Sequence, residues 1–77
     1  MTIGEKIAYL RTEINISQEE LAEKIDVSRQ SISKWEMNQA MPQIDKVLVL
    51  CELFNISADE LLRNEIDLKC RNSKERV

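Results

Sequence analysis

Apolar residues recur every three or four positions along most of the chain, a spacing that places them on one face of an α-helix. The first such stripe consists of Ile3, Ile7, Leu10 and Ile14. The periodicity then breaks at residues that tolerate the left-handed backbone conformation with which many helices end. These residues are Asn15, Asp26, Asn38 and Asn55. The four breaks divide the chain into five short predicted helices.

Capping signals indicate where these helices begin. A threonine or serine followed three residues later by glutamate can form a reciprocal capping box, just after which a helix starts. The pattern occurs three times, as Thr2 with Glu5, Ser17 with Glu20, and Ser57 with Glu60. We predict helices over residues 2–14, 18–25, 29–37 and 58–64, with Ser28 capping the third. The fourth helix follows Pro42, and its predicted apolar stripe is Ile44, Val47, Leu48, Cys51 and Phe54.

The fold class follows from these elements. No strand pattern of useful length occurs in the first 64 residues, so we predict an all-α, compact five-helix domain over residues 1–64. Residues 65–77 become polar and basic towards their end. They form a C-terminal tail that is either frayed or a small dimerisation or linker element.

Composition excludes several functions. No apolar run approaches the ~20 residues of a membrane span and no signal-peptide pattern is present, so we expect a cytoplasmic protein without a membrane partner. The chain has no histidine, and Cys51 and Cys70 lack a CxxC partner, so no metal site is expected. We interpret Cys51 as a buried core thiol. Without histidine or a glycine-rich phosphate loop, nothing indicates an enzyme, a cofactor or a small-molecule ligand.

The net charge of −3 argues mildly against nucleic-acid binding, but the charge is unevenly distributed. Residues 1–68 contain 7 Lys and Arg against 13 Asp and Glu, whereas residues 69–77 contain 4 against 1. The local charge of a surface therefore decides the question better than the charge of the whole chain.

The second and third predicted helices are joined only by Asp26, Val27 and Ser28. So short a link makes the helices cross at a steep angle, as they do in a helix-turn-helix. Ala22 lies where the third helix must pass close, and a small side chain is needed there. Ile32 and Trp35 lie on one face of the third helix and are predicted to anchor it to the core.

The opposite face of the third helix is polar and contains no acidic residue. It consists of Arg29, Gln30, Ser33 and Lys34. Arginine at a helix start opposes the helix dipole, which costs about 0.3–1 kcal/mol. A bidentate contact of arginine or glutamine with a base edge contributes about 1–3 kcal/mol of discrimination. We therefore predict that these four residues read bases in the DNA major groove; the alternative is a face that is merely solvated.

The sequence also resembles a known family. The segments SQEELA, VSRQSISKWE and NISADELL, with Pro42 between the last two, resemble the Cro/lambda-repressor-type helix-turn-helix domain of the XRE family of bacterial and phage regulators. The resemblance covers about residues 3–63. It implies a five-helix, lambda-repressor-like DNA-binding domain, and hence a sequence-specific transcriptional regulator, with repression as the expected mode.

The resemblance also assigns roles to individual residues. Gln18, at the start of the second helix, matches a position that contacts a DNA phosphate, and Arg29, Gln30, Ser33 and Lys34 match the base-reading face. The positions that match sites near the DNA backbone are Ser28, Ser31, Asn38 and Gln39. Arg11 and Glu36 match a structural ion pair between the first helix and the end of the third, so Glu36 is expected to be structural.

The chain departs from the family pattern in two ways. Asp26 and Asn38 stand where glycine is common, and the segment MNQAM after Glu36 lacks the basic residues often found there. Fewer basic residues mean fewer phosphate contacts, so we expect modest non-specific affinity. The basic tail either compensates for this loss or is disordered.

Domains of this kind usually bind inverted repeats in double-stranded DNA as two-fold dimers. Val49 and Leu53 fall off the main apolar stripe of the fourth helix. Together with Ile66 and Leu68 they form a possible dimer interface; alternatively, they complete a thin core. Two other functions stay open. One is an antitoxin or phage control protein that binds both DNA and a protein partner; the other is a protein-interaction module that has lost DNA binding.

Overall fold

The computed structural model describes residues 1–63, and all regular structure in this part of the chain is helical. The helices are α1 (Ile3–Glu13), α2 (Gln18–Ile25), α3 (Arg29–Glu36), α4 (Ile44–Phe54) and α5 (Ala58–Leu62). The all-α, five-helix prediction is confirmed. The predicted tail lies outside the described residues. The fifth helix ends at Leu62 and not at residue 64 as predicted, because Arg63 has an extended backbone conformation.

Local capping chemistry sets the helix boundaries. Each of the three predicted capping boxes is present, with the hydroxyl accepting from the backbone N–H of the glutamate and the carboxylate accepting in return. The four predicted turn residues all have positive φ. The values are 62° at Asn15, 63° at Asp26, 60° at Asn38 and 58° at Asn55. Asparagine and aspartate therefore replace glycine at all four turns.

All five helices contribute to one core. Each of them places one side chain in it with no exposed surface, and these side chains are Ile7, Leu21, Ile32, Leu50 and Leu61. Trp35 and Phe54 are buried beside them. Burying these apolar side chains is the main term that holds such short helices together, because an isolated helix of 5 to 11 residues is only marginally stable in water.

Two predicted apolar stripes are partly wrong. In α4, Ile44 is 67% exposed and Leu48 is 55% exposed, whereas Leu50 is fully buried. The buried positions are Val47, Leu50, Cys51 and Phe54, which follow i, i+3, i+4, i+7 spacing. Ile14, at the end of the α1 stripe, is also exposed, because it is the C-cap at which the chain leaves the helix.

Close contact between α1 and the end of α3 depends on Gly4, the only glycine in the chain. A Cβ atom at this position would lie 2.4 Å from the carbonyl oxygen of Trp35 and 2.7 Å from that of Glu36. The Asn38 side chain closes the junction, accepting from the Gly4 N–H at 3.1 Å and donating to Thr2 Oγ1 at 3.0 Å. The end of α3 is thereby fixed on α1.

Two lysines tie helix ends to the rest of the domain. The fully buried Lys6 donates through Nζ to the carbonyl oxygens of Glu60 and Arg63, at the end of α5. Lys46 donates through Nζ to the carbonyl oxygen of Ile25, the last residue of α2, at 2.9 Å. A cation at a helix C-terminus satisfies carbonyls that have no intrahelical partner and complements the helix dipole.

Candidate nucleic-acid interface

The turn between α2 and α3 sets the position of the exposed face of α3. Asp26 takes the left-handed conformation, and the Val27 N–H donates to the carbonyl oxygen of Ala22 at 3.0 Å. Ser28 then caps α3, its Oγ accepting from the Ser31 N–H at 3.1 Å. Ala22 is buried, as close packing of the two helices requires.

One side of α3 is held by the core and the other faces outward. Ile32 and Trp35 are buried, whereas the side chains on the opposite face are exposed at Arg29, Gln30 and Lys34 and half-buried at Ser33. Within residues 1–63, none of these four side chains makes a hydrogen bond or an ion pair. Their donors and acceptors are therefore available to another molecule.

The electrostatics of α3 differ from those of the other described helices. Acidic residues occupy the first turn of α1, α2, α4 and α5, but not that of α3. Arg29 is the first residue of α3 and Lys34 lies in its last turn. The outward face thus combines two cations with neutral hydrogen-bonding groups, a combination suited to DNA.

The expected ion pair between Arg11 and Glu36 is present. Arg11 Nε lies 2.7 Å from Glu36 Oε2, and the two side chains are only 17% and 8% exposed. Arg11 also donates through its terminal nitrogens to Glu36 Oε1 at 3.3 Å and to the carbonyl oxygen of Ile16 at 2.8 Å. Gln18 Nε2 donates to Glu36 Oε1 at 2.9 Å. The hydrogen bonds around Glu36 thus join helix α1 to the beginning of α2 and the end of α3.

The other residues expected near the DNA backbone differ in how they are held. The hydroxyls of Ser28 and Ser31 lie 3.0 Å apart and are hydrogen-bonded to each other at the start of α3. The Asn38 side-chain amide is hydrogen-bonded at both its oxygen and its nitrogen, to Gly4 and Thr2 at the start of α1. Within the described part of the chain, the exposed Gln39 side chain has no hydrogen-bond partner. All four lie at the two ends of α3, but only Gln39 is unconstrained.

The residues expected in a dimer interface are only partly described. Val49 is 36% exposed, and Leu53 is half-buried against the core. Ile66 and Leu68 lie outside the described residues. The largest exposed apolar side chains of α4 are instead Ile44 and Leu48, which lie on the opposite flank of the helix.

Residues 1–63 contain no cluster of three or more potential metal-ligating side chains. No helix in this range is long and apolar enough to cross a membrane. Burial raises the pKa of the Cys51 thiol above its usual value, and the nearby Glu60 carboxylate raises it further. The thiol is therefore neutral at ordinary pH and packs as an apolar core group.

Several structural contacts could not be predicted from the sequence, and three of them lie beside the candidate interface. Lys46 holds the end of α2, Gly4 admits the end of α3, and Glu36 accepts from Gln18 as well as from Arg11. A single glycine in a chain that otherwise turns on asparagine and aspartate is a usable signal for close backbone approach. The contacts of Lys46 and Glu36 join residues 21 and 18 positions apart and leave no local pattern.

Comparison with known proteins identifies the arrangement of α2 and α3. A family model for the helix-turn-helix matches residues 7–61. The transcriptional activator BcrR of Enterococcus faecalis is 42% identical over 65 residues, which cover 84% of this chain and 32% of BcrR. The regulator ImmR of Bacillus subtilis is 30% identical over an alignment that covers 100% of this chain and 66% of ImmR.

A solved structure matches the fold as well as the sequence. The c2 repressor of phage P22 in complex with a synthetic operator superposes with a TM-score of 0.79 at 31% identity, covering 84% of this chain and 98% of that one. The full repressor C2 of Salmonella phage P22 is matched over 30% of its length. The chain thus spans about a third to two thirds of these curated relatives.

Proposed function

The chain belongs to the Cro/lambda-repressor-type (XRE) helix-turn-helix family of transcriptional regulators, and we propose that it binds double-stranded DNA sequence-specifically with α3 in the major groove. One observation carries the proposal. The outward face of α3 is free of acidic residues, and its four polar side chains have no partner within residues 1–63. The operator complex of the P22 c2 repressor, a protein of the same fold, supports it.

Base recognition falls to Arg29, Gln30, Ser33 and Lys34. Arginine and lysine match the acceptors of guanine, and glutamine matches the donor and acceptor of adenine. Serine can pair with either. Because Ile32 and Trp35 hold the opposite side of the helix, the four side chains are presented on a rigid support.

Contacts with the DNA backbone fall to residues at the ends of α2 and α3. Gln18 is the first residue of α2, where backbone N–H groups without intrahelical partners favour a phosphate. Ser28, Ser31 and Gln39 have polar groups beside the outward face. Asn38 is so fully engaged with α1 that its contribution is to hold the backbone of the turn after α3.

We propose further that two copies bind an inverted repeat with half-sites about one helical turn apart. Val49 and Leu53, with Ile66 and Leu68, form the proposed contact. Val49→Glu should then abolish dimerisation in sedimentation equilibrium. Leu48→Glu is the matched control because Leu48 lies about 100° away around α4. Loss of the dimer only in Leu48→Glu would move the interface to the flank of Ile44 and Leu48.

We propose that the biological effect is repression by occupying the operator, without catalysis, in the cytoplasm where the DNA lies. The sign of regulation needs its own test, because BcrR is named an activator whereas the P22 protein is named a repressor. Transcription from a promoter that contains the selected site should fall when this protein is supplied. A rise would contradict repression while leaving DNA binding intact.

Selection of bound duplexes from a random DNA library at about physiological salt tests the central proposal. We expect enrichment of an inverted repeat in which each half-site is contacted by the α3 helix of one copy. If a protein shown by circular dichroism to be folded enriches no sequence, the proposed function is wrong. A protein-interaction role would then take its place.

A further inference from the structure

Glu36 accepts hydrogen bonds from two directions. Its carboxylate accepts from Arg11 in α1 and from Gln18 at the start of α2. The Glu36 side chain is almost fully buried. The ion pair with Arg11 would form without Gln18, so the bond from Gln18 is an additional contact. Through the bond from Gln18, Glu36 also connects the proposed phosphate-binding end of α2 to the end of α3.

This bond fixes the orientation of the Gln18 amide. An ionised carboxylate can only accept, so Gln18 must direct Nε2 and not Oε1 towards Glu36. Because an amide nitrogen has two hydrogens, one N–H remains to donate outward. Arg11 also donates to the Ile16 carbonyl, two residues before Gln18, and so holds the backbone that leads into α2.

Arg11 offsets the charge of Glu36 beside the proposed DNA-binding surface. The two groups lie within 2.7 Å of each other, so the pair has little net charge at a distance. A carboxylate can therefore orient Gln18 without strongly repelling phosphate. With an uncharged amide at position 36, the single acceptor oxygen can occupy the position of Oε2, which Arg11 Nε contacts, or that of Oε1, which Gln18 contacts, but not both.

We propose that Glu36 is a positioning residue for DNA binding: it orients the Gln18 side chain so that Gln18 donates to a DNA phosphate. The inference rests on the proposed function and extends it, because the ion pair by itself is only structural. It makes a prediction whose sign is opposite to that of simple electrostatics. Removing a negative charge beside DNA should tighten binding, whereas removing the group that orients Gln18 should weaken it.

The test is a double-mutant cycle on DNA affinity with Glu36→Gln and Gln18→Ala. Dissociation constants are measured for the selected operator and for an unrelated duplex, at a temperature where circular dichroism shows every variant folded. Glu36→Gln should weaken binding to both duplexes about three- to tenfold, as expected for one lost hydrogen bond to a phosphate. In the Gln18→Ala background the same change should have an effect of less than about twofold.

Glu19→Gln is the matched control. It removes a negative charge from an exposed side chain next to Gln18 that makes no hydrogen bond within residues 1–63. It should leave affinity unchanged or raise it. The Gln18 side-chain amide signals in a ¹⁵N–¹H spectrum provide a second readout, since they should shift in Glu36→Gln and not in Glu19→Gln.

The outcomes separate this inference from the proposed function. If wild-type protein binds DNA but Glu36→Gln binds as tightly or more tightly, the positioning role is wrong. It is also wrong if Glu36→Gln weakens binding by the same factor with and without Gln18, because Glu36 would then act independently of that side chain. If the wild-type protein binds no DNA, the proposed function and this inference are both overturned.

Discussion

Helices α2 and α3 have the same length and the same kind of beginning, yet their first turns differ. Both contain eight residues and follow a serine N-cap. In α2, Glu20 completes a capping box with Ser17, and Glu19 adds a second acid. In α3, the position equivalent to Glu20 is Ser31, and no acid is present in the first turn.

Under the proposed function, this difference follows from the different roles of the two helices, because only α3 lies in the major groove. Acids at a helix start are favourable by about 0.3–1 kcal/mol. They would be placed against phosphates if α3 carried them in a major groove. Helix α3 therefore lacks the first-turn acid that α1, α2, α4 and α5 all have, and the burial of Ile32 and Trp35 stabilises it instead.

The largest expected effect concerns stability and separates the buried network at the end of α3 from the outward face of the same helix. Glu36→Ala leaves Arg11 and Gln18 without their shared acceptor, so the free energy of unfolding should fall by about 2–4 kcal/mol. The melting temperature should drop by about 10 °C or more. Lys34→Ala, on the outward face, is the control and should change stability by less than about 0.5 kcal/mol. Equal melts for the two variants would show that the network around Glu36 is not structural.

Installing the α2 pattern in α3 should have opposite effects on folding and binding. Ser31→Glu adds the missing acid of a capping box, so thermal stability should rise by about 0.3–1 kcal/mol. The added carboxylate faces the proposed DNA backbone, so affinity for the operator should fall by about 2 kcal/mol, or roughly thirtyfold. Thermal melts and titrations of the same preparation check both effects. A stabilised variant with full affinity would mean that this end of α3 lies away from DNA.

Truncating the outward face should reduce binding without altering the fold. Gln30→Ala and Lys34→Ala are each expected to weaken specific binding by about 1–2 kcal/mol, because each removes a proposed base contact and leaves the core untouched. Affinity for the operator and the circular dichroism melt are measured together. Unchanged affinity in both variants would show that this face is merely solvated.

The smallest effect is the converse change in α2. Glu20→Ser removes half of a capping box and one first-turn acid, so stability should fall by about 0.5–1 kcal/mol. Operator affinity of the folded protein should stay within about twofold of wild type, since the Glu20 carboxylate accepts from the Ser17 N–H and is not among the proposed DNA contacts. A large loss of binding would show that the start of α2 matters for DNA through more than Gln18.

The helix starts and turns could be predicted from sequence because they depend on neighbours within four residues. Thr2 with Glu5 and the left-handed Asn55 are examples. The buried face of α4 could not be assigned, because eight of its eleven residues are apolar and several stripes fit equally well. The sequence therefore predicts Leu48 in the core, whereas the structure buries Leu50.

The candidate site was predictable in part for the same reason. The outward face of α3 follows from helical period and charge, whereas the bond from Gln18 to Glu36 depends on how two helices meet. Position 18 could be matched to a phosphate contact through family resemblance, but resemblance did not indicate that its amide is oriented by a buried carboxylate. Tertiary hydrogen bonds of this kind have no signature in a single sequence.

The most direct test of base reading by α3 is to repeat the random-duplex selection with Gln30→Ala beside the wild-type protein. If α3 reads bases, the variant should enrich the same inverted repeat with preference relaxed at one position in each half-site and retained elsewhere. If both proteins enrich an identical sequence with the same preference at every position, Gln30 reads no base. The placement of this face of α3 against base edges would then be contradicted.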